Sequence, residues 1–204
     1  MQTKGHKLFF YIVLIINVVY YIQSRVSHGF SLTTELSPYE LLKIGGITPT
    51  NYDFPSMITA SIQHGSIGHL LMNMIVLYII MQMYSTRIGF IHLMVVYIIT
   101  SIGSSIAIIE FSDANTVTVG ASGAVLGMMG NALIHSLFDH ESRHMLSSLV
   151  TIVAIQVVVT FLNDNISISG HIGGITVGVI LGIIYQTLRY IGRLFTKNKK
   201  YTNS

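Results

Sequence analysis

The chain has 204 residues, 51% of them hydrophobic and 9% charged, with a mean hydropathy of +0.64. Soluble domains carry about 25% charged residues, so this is an integral membrane protein and not an ordinary soluble domain. The absence of cysteine excludes disulfides, thiolate metal sites and a cysteine nucleophile. The net charge of +3 comes from basic residues at the ends and in short loops, which is a topology signal and not a nucleic-acid-binding one.

Six apolar segments each approach the roughly 20 residues that a helix needs to cross the hydrocarbon. They predict an all-α membrane protein, a six-transmembrane-helix bundle forming one domain over 1–204, with a basic cytoplasmic tail at 192–204. The first span, 7–23, follows Lys4 and Lys7 as a signal peptide would. Tyr20-Tyr21-Ile22-Gln23 offers no small-residue cleavage site, so it reads as a retained helix. A long first loop runs from Ser24 to Ser66, punctuated by Pro38, Pro49 and Pro55. Within it Leu36, Tyr39, Leu41, Leu42 and Ile44 read as a short amphipathic piece at the interface. The remaining spans are 67–84, 89–109, 121–138, 145–162 and 170–191, joined by short loops.

With the N-terminus inside, the cytoplasmic side holds Lys4, Lys7, Arg87, Arg143, Arg189, Arg193, Lys197, Lys199 and Lys200, and the outside holds Arg25 and Lys43. The positive-inside rule therefore places both termini in the cytoplasm of a multi-pass cell-membrane protein. In this topology the second, fourth and sixth spans all run inward. Their unusual polar residues, His64, His69 and Asn73, then Ser122, then His171, gather at the outer starts of the three.

The fourth span opens Val119-Gly120-Ala121-Ser122-Gly123, and Gly123, Gly127 and Gly130 follow at spacings that share one helix face. In the sixth, His171, Gly174, Gly178 and Gly182 do the same. Bare stripes let helix backbones approach closely, a main source of association in lipid. Packing one stripe on the other brings Ser122 and His171 within reach, and an adjacent imidazole is the usual activator of a serine. His69 and Asn73, four apart on one face of the second span, supply an imidazole and an amide to the same end. With the Ser122 backbone N–H they form a candidate set of donors for an oxyanion. Packing alone would also explain a glycine-rich face with a satisfied histidine. Matching depth on matching stripes favours chemistry. His64 and His69 are five apart, a poor spacing for one metal, and there is no His-Glu-x-x-His, so neither metal nor cofactor is expected.

Gly120-Ala121-Ser122-Gly123, His171 with Gly174 and Gly178, and His69 with Asn73, in this order and at these span starts, resemble a rhomboid intramembrane serine protease of the basic six-span bacterial form. The resemblance covers essentially the whole chain. It implies cleavage of a peptide bond in or beside the transmembrane segment of a single-span membrane protein, at a site open to the outside. Ser122 is then the nucleophile, His171 the general base and acid, and His69, Asn73 and the Ser122 N–H the oxyanion donors. Asp164, with Asn163 and Asn165, reads as a turn in the outer loop and not as a third member of a triad.

Three positions depart from the family pattern. The first loop has Asp53-Phe54-Pro55-Ser56-Met57 where many members carry a Trp-Arg pair, Ser85 stands where a glutamate is common, and Leu126 replaces an aromatic one turn after the serine. These departures motivate a second reading, a weak or inactive relative that binds transmembrane helices as a chaperone or quality-control factor. His92 and His135 are expected to satisfy backbone or loop groups, and His140 and His144 to be solvated in the cytoplasmic turn.

Overall fold

The computed structural model describes residues 3–84, 86, 88–140, 142–162 and 166–202, with side chains as far as Arg193. The six expected spans are α1 (Lys4–Ser27), α4 (Ile67–Met83), α5 (Phe90–Phe111), α6 (Ser122–Phe138), α7 (Leu146–Leu162) and α8 (Ile168–Thr202). Two short helices, α2 (Pro38–Lys43) and α3 (Phe54–Thr59), lie in the first loop. Among the described residues the only β pairing is isolated bridges, Ile47 with Thr118 and Thr48 with Asn51. The segment expected as a tail continues α8 as helix to Thr202: lysine and arginine end the apolar run without breaking the helix. Ser85, Arg87, Glu141, Asn163, Asp164 and Asn165, and the side chains of Lys197, Lys199 and Lys200, fall outside the described residues.

The helix α6 is the axis of the bundle. Its 17 residues include an unbroken buried run from Gly123 to Ala132. At 1.5 Å per residue it is about 25 Å long, shorter than the roughly 30 Å hydrocarbon layer, so at least one of its ends lies within that layer. The apolar core forms on one side of it: Phe9 and Val13 of α1, Leu70, Met74 and Leu77 of α4, and Leu93 and Val96 of α5 surround Val125, Met128 and Met129. In lipid, apolar burial does not itself draw helices together, and close packing must do so. Glycine and serine supply it on the other side of α6. A methyl group on Gly123 or Gly127 would overlap Ser104 or Thr100 of α5, and one on Gly174 or Gly178 would overlap the backbone of α6.

The first loop is tied down at several points. Arg25, fully buried, donates to the carbonyl oxygens of Ser31, Thr34 (3.0 Å) and Gly65 (2.7 Å), with its guanidinium 4.5 Å from the Tyr21 ring centre. This charge, counted above only for topology, is a structural clasp between α1 and the entry to α4. In the piece read as amphipathic, Leu36 and Ile44 are buried and Tyr39 is exposed. Its Ser37 and Glu40 form a capping box at the start of α2. The chain then bonds to the loop before α6, through Ile47 N–H to Thr118 O (3.1 Å), Thr118 N–H to Ile47 O (2.9 Å) and Gly120 N–H to Ala60 O (2.8 Å). The segment Phe54–Ile62 meets α4 at 88°, so the chain turns sharply over residues 63–66, which include His64.

At the opposite end of α6, His92 Nε2 lies 3.1 Å from Asn131 Oδ1 and 3.3 Å from His135 Nε2, and Gln186 Nε2 is 2.9 Å from His135 Nδ1. Among the described residues these two histidines therefore bond to side chains of neighbouring helices, and not to backbone or loop groups. His140 and His144 are exposed, as expected for a solvated turn.

Candidate active site

Ser122 is the first residue of α6, so its N–H belongs to the turn whose backbone donors have no intrahelical partner. The first bond of that turn runs from Val125 N–H to Ala121 O (2.9 Å). Just before it, Gly120 adopts φ +129°, a conformation that L side chains rarely adopt. Gly120 also lets the His69 ring lie against the backbone: a methyl group here would sit 2.8 Å from His69 Nε2. One glycine thus turns the chain into α6 and seats an imidazole beside the start of the helix.

His171 enters from α8 at the same level. Gly170 O lies 3.1 Å from where a methyl on Gly123 would stand, and a methyl on Gly174 would overlap Gly123 O. Ser122 and His171 are thus each adjacent to residues whose backbones touch. Among the described residues, no hydrogen bond joins the Ser122 hydroxyl to His171. The imidazole Nδ1 instead lies 2.7 Å from Thr160 Oγ1 of α7, and both residues are buried.

Asn73 is buried on α4, where Nδ2 donates to His64 Nε2 at 3.0 Å, which leaves its amide one further N–H. Ala121 N–H approaches the same His64 nitrogen at 3.5 Å. His64 therefore ties the loop to both α4 and α6, and stacks edge-on to His69 with ring centres 5.0 Å apart. Behind Gly120 and Ala124 a small cleft is lined by Ser61, Ser101, Ser104, Ser105 and Thr118. Among the described residues no three His, Asp or Glu side chains converge as a metal site.

Sequence reasoning missed three contributions. One is the bond of Thr160 to His171, which joins two helices whose relative register no sequence spacing reports. The small side of α5, Gly103, Ser104 and Ala107, packs on α8, where methyls on Gly170 and Gly173 would meet Ile108 and Ala107. Gly170 and Gly173 form a second glycine face, and its signal was present in the sequence alongside the one that was read. Leu126, one turn after Ser122, belongs to the apolar core.

A helical membrane bundle with a serine and a histidine heading two glycine-packed helices defines the class. The Rhomboid domain family model matches residues 52–187, and the chain belongs to the rhomboid family. It is similar to RHOMBOID-like protein 6, mitochondrial, of Arabidopsis thaliana, with 37% identity over 134 residues, covering 63% of this chain and 42% of that protein. RHOMBOID-like protein 4 of the same plant is 32% identical over 140 residues, covering 66% and 35%. Putative rhomboid protease YdcA of Bacillus subtilis (strain 168) is 27% identical over 136 residues, covering 66% of this chain and 68% of that protein. The chain thus spans less than half the length of the two plant relatives.

Proposed function

We propose that the protein is an intramembrane serine endopeptidase that cleaves other membrane proteins, single-span ones above all, near the outer face of the cell membrane. Ser122 Oγ attacks the carbonyl carbon of the scissile peptide bond while His171 takes its proton. The oxyanion is held by the Ser122 N–H, the His69 ring and the second N–H of Asn73, in the manner of preorganised donors. His171 then gives its proton to the leaving amine, and water repeats the sequence on the acyl-enzyme.

The observation that carries this reading is the backbone contact of α6 and α8 at Gly123 and Gly174, next to Ser122 and His171. A short α6 suits it, because a helix of about 25 Å lets its first residue start below the membrane surface. The excess of basic residues on the opposite side supports a site facing outward, with both termini inside. Substrates with helix-weakening residues near the boundary fit best, because a helix shields its own peptide bonds.

The test is cleavage of a single-span model substrate by purified protein in lipid, beside Ser122→Ala and His171→Ala. Product from the parent protein only is expected, with fluorophosphonate labelling lost in Ser122→Ala. Equal product from all three eliminates the proposal. Absence of both product and label favours a helix-binding role without catalysis.

A further inference from the structure

We infer that Thr160 is the positioning residue that fixes the tautomer and ring orientation of His171. The inference rests on the reading of His171 as the base. Two short contacts meet at Thr160 Oγ1: Gln156 O at 2.7 Å and His171 Nδ1 at 2.7 Å. A hydroxyl has one proton, and the Gln156 carbonyl can only accept. Donation back to the carbonyl four residues earlier is an ordinary helical arrangement for threonine. The hydroxyl oxygen then faces His171 with lone pairs, so Nδ1 must carry the imidazole proton.

A neutral ring protonated at Nδ1 has its lone pair on Nε2. That nitrogen has no hydrogen-bond partner among the described residues, so it is available to accept a proton from a serine. In a nucleophile–base pair the base is commonly oriented by a third group. Here that group is a neutral hydroxyl on a neighbouring helix. It fixes direction and tautomer without supplying the negative charge that a carboxylate would.

The burial pattern of α7 points the same way. Its buried residues are Leu149 and Thr160, while Val157, Val158, Val159, Phe161 and Leu162 are exposed. In the last turns of α7, Thr160 is thus a buried polar residue among exposed apolar neighbours. The base is thereby linked to the position of α7, and a shift of α7 away from α8 would release the ring.

The experiment compares Thr160→Val, which keeps the shape and removes the hydroxyl, with Thr160→Ser, which keeps the hydroxyl. Both are measured in lipid for kcat and KM on the model substrate. Nitrogen-15 NMR of histidine-labelled protein reads the tautomer, with the His171 signal assigned by its loss in His171→Ala. Thr160→Val should lower kcat roughly tenfold at unchanged KM, from the loss of one orienting hydrogen bond, and should lose the pure Nδ1–H signature. Thr160→Ser should retain both. A parent spectrum showing Nε2–H, or a Thr160→Val protein with parental kcat and tautomer, overturns the inference. If the parent shows Nδ1–H, Thr160→Val loses it, and no protein cleaves substrate, the protease reading fails while the tautomer assignment stands.

Discussion

Gly127 of α6 and Gly178 of α8 meet backbone to backbone: a methyl group on Gly178 would overlap the Gly127 carbonyl oxygen. No side chain intervenes that a rotamer change could move aside. One turn earlier on each helix, Gly123 and Gly174 repeat the contact beside Ser122 and His171. The separation of the two proposed reacting groups is therefore set by glycine.

Gly178→Ala is accordingly expected to push α8 away from α6. Overpacking of this kind costs about 1–3 kcal/mol, and a displacement of about 1 Å at the reacting groups costs on the order of 100-fold in rate. Thermal unfolding in detergent and cleavage assays in lipid read the two effects. Gly192→Ala is the control, because nothing lies within 4 Å of the added methyl and alanine is the better helix former. Equal behaviour of the two variants would contradict the packing argument.

How much of this was legible in the sequence follows from the range of each signal. The six apolar runs gave the six long helices because hydropathy is a local property, and their starts and ends fell within a few residues at α4, α5, α6 and α7. The Gly123–Gly127 and Gly174–Gly178 stripes were legible because helical periodicity reduces a face to a spacing. What spacing cannot show is the partner across the gap. Gly170 and Gly173 meet α5, and nothing local to α8 distinguishes that face from the other. The pairing of Thr160 with His171 and the three carbonyls gathered by Arg25 depend on chain reversals, and neither leaves a periodic trace.

Arg25 is expected to matter more for stability than any other charged residue in the first loop. Its guanidinium satisfies three carbonyl groups while buried, and charge-assisted bonds contribute about 1.5–3 kcal/mol each before non-additivity. Arg25→Gln should cost at least about 3 kcal/mol. Arg25→Lys should rescue only part, since an ammonium lacks the planar fork. Limited proteolysis between Ser27 and Gly65 should accelerate in the same order. Unchanged cleavage in Arg25→Gln would mean that the loop is held by its other contacts alone.

The capping box of α2 gives the first loop a pH dependence with a definite sign. The Ser37 hydroxyl and backbone N–H both bond Glu40 and hold its carboxyl below the ordinary glutamate value. A carboxyl depressed by folding contributes stability that is fully present above its unfolded pKa and lost as pH falls through the folded one. Amides of α2 should therefore keep their hydrogen-exchange protection through neutral and mildly acidic pH, and lose it only below the usual carboxylate range. Glu40→Gln should flatten that dependence. Loss of protection near neutrality would assign the transition to another group.

His64 supports the proposed oxyanion donors without being one of them. Its Nε2 accepts from Asn73 at 3.0 Å and is approached by Ala121 N–H at 3.5 Å, the residue immediately before Ser122. Replacing it with alanine leaves the buried Asn73 amide without that acceptor, and an unsatisfied buried group costs about 1–3 kcal/mol. The freed amide is expected to rotate, so the damage should reach the proposed site as well as the fold. His64→Ala should lower both the melting temperature and the rate of Ser122 labelling by a fluorophosphonate. His64→Gln, whose side-chain oxygen is also an acceptor, should recover part of each. Normal labelling in a destabilised His64→Ala protein would confine this histidine to holding the loop.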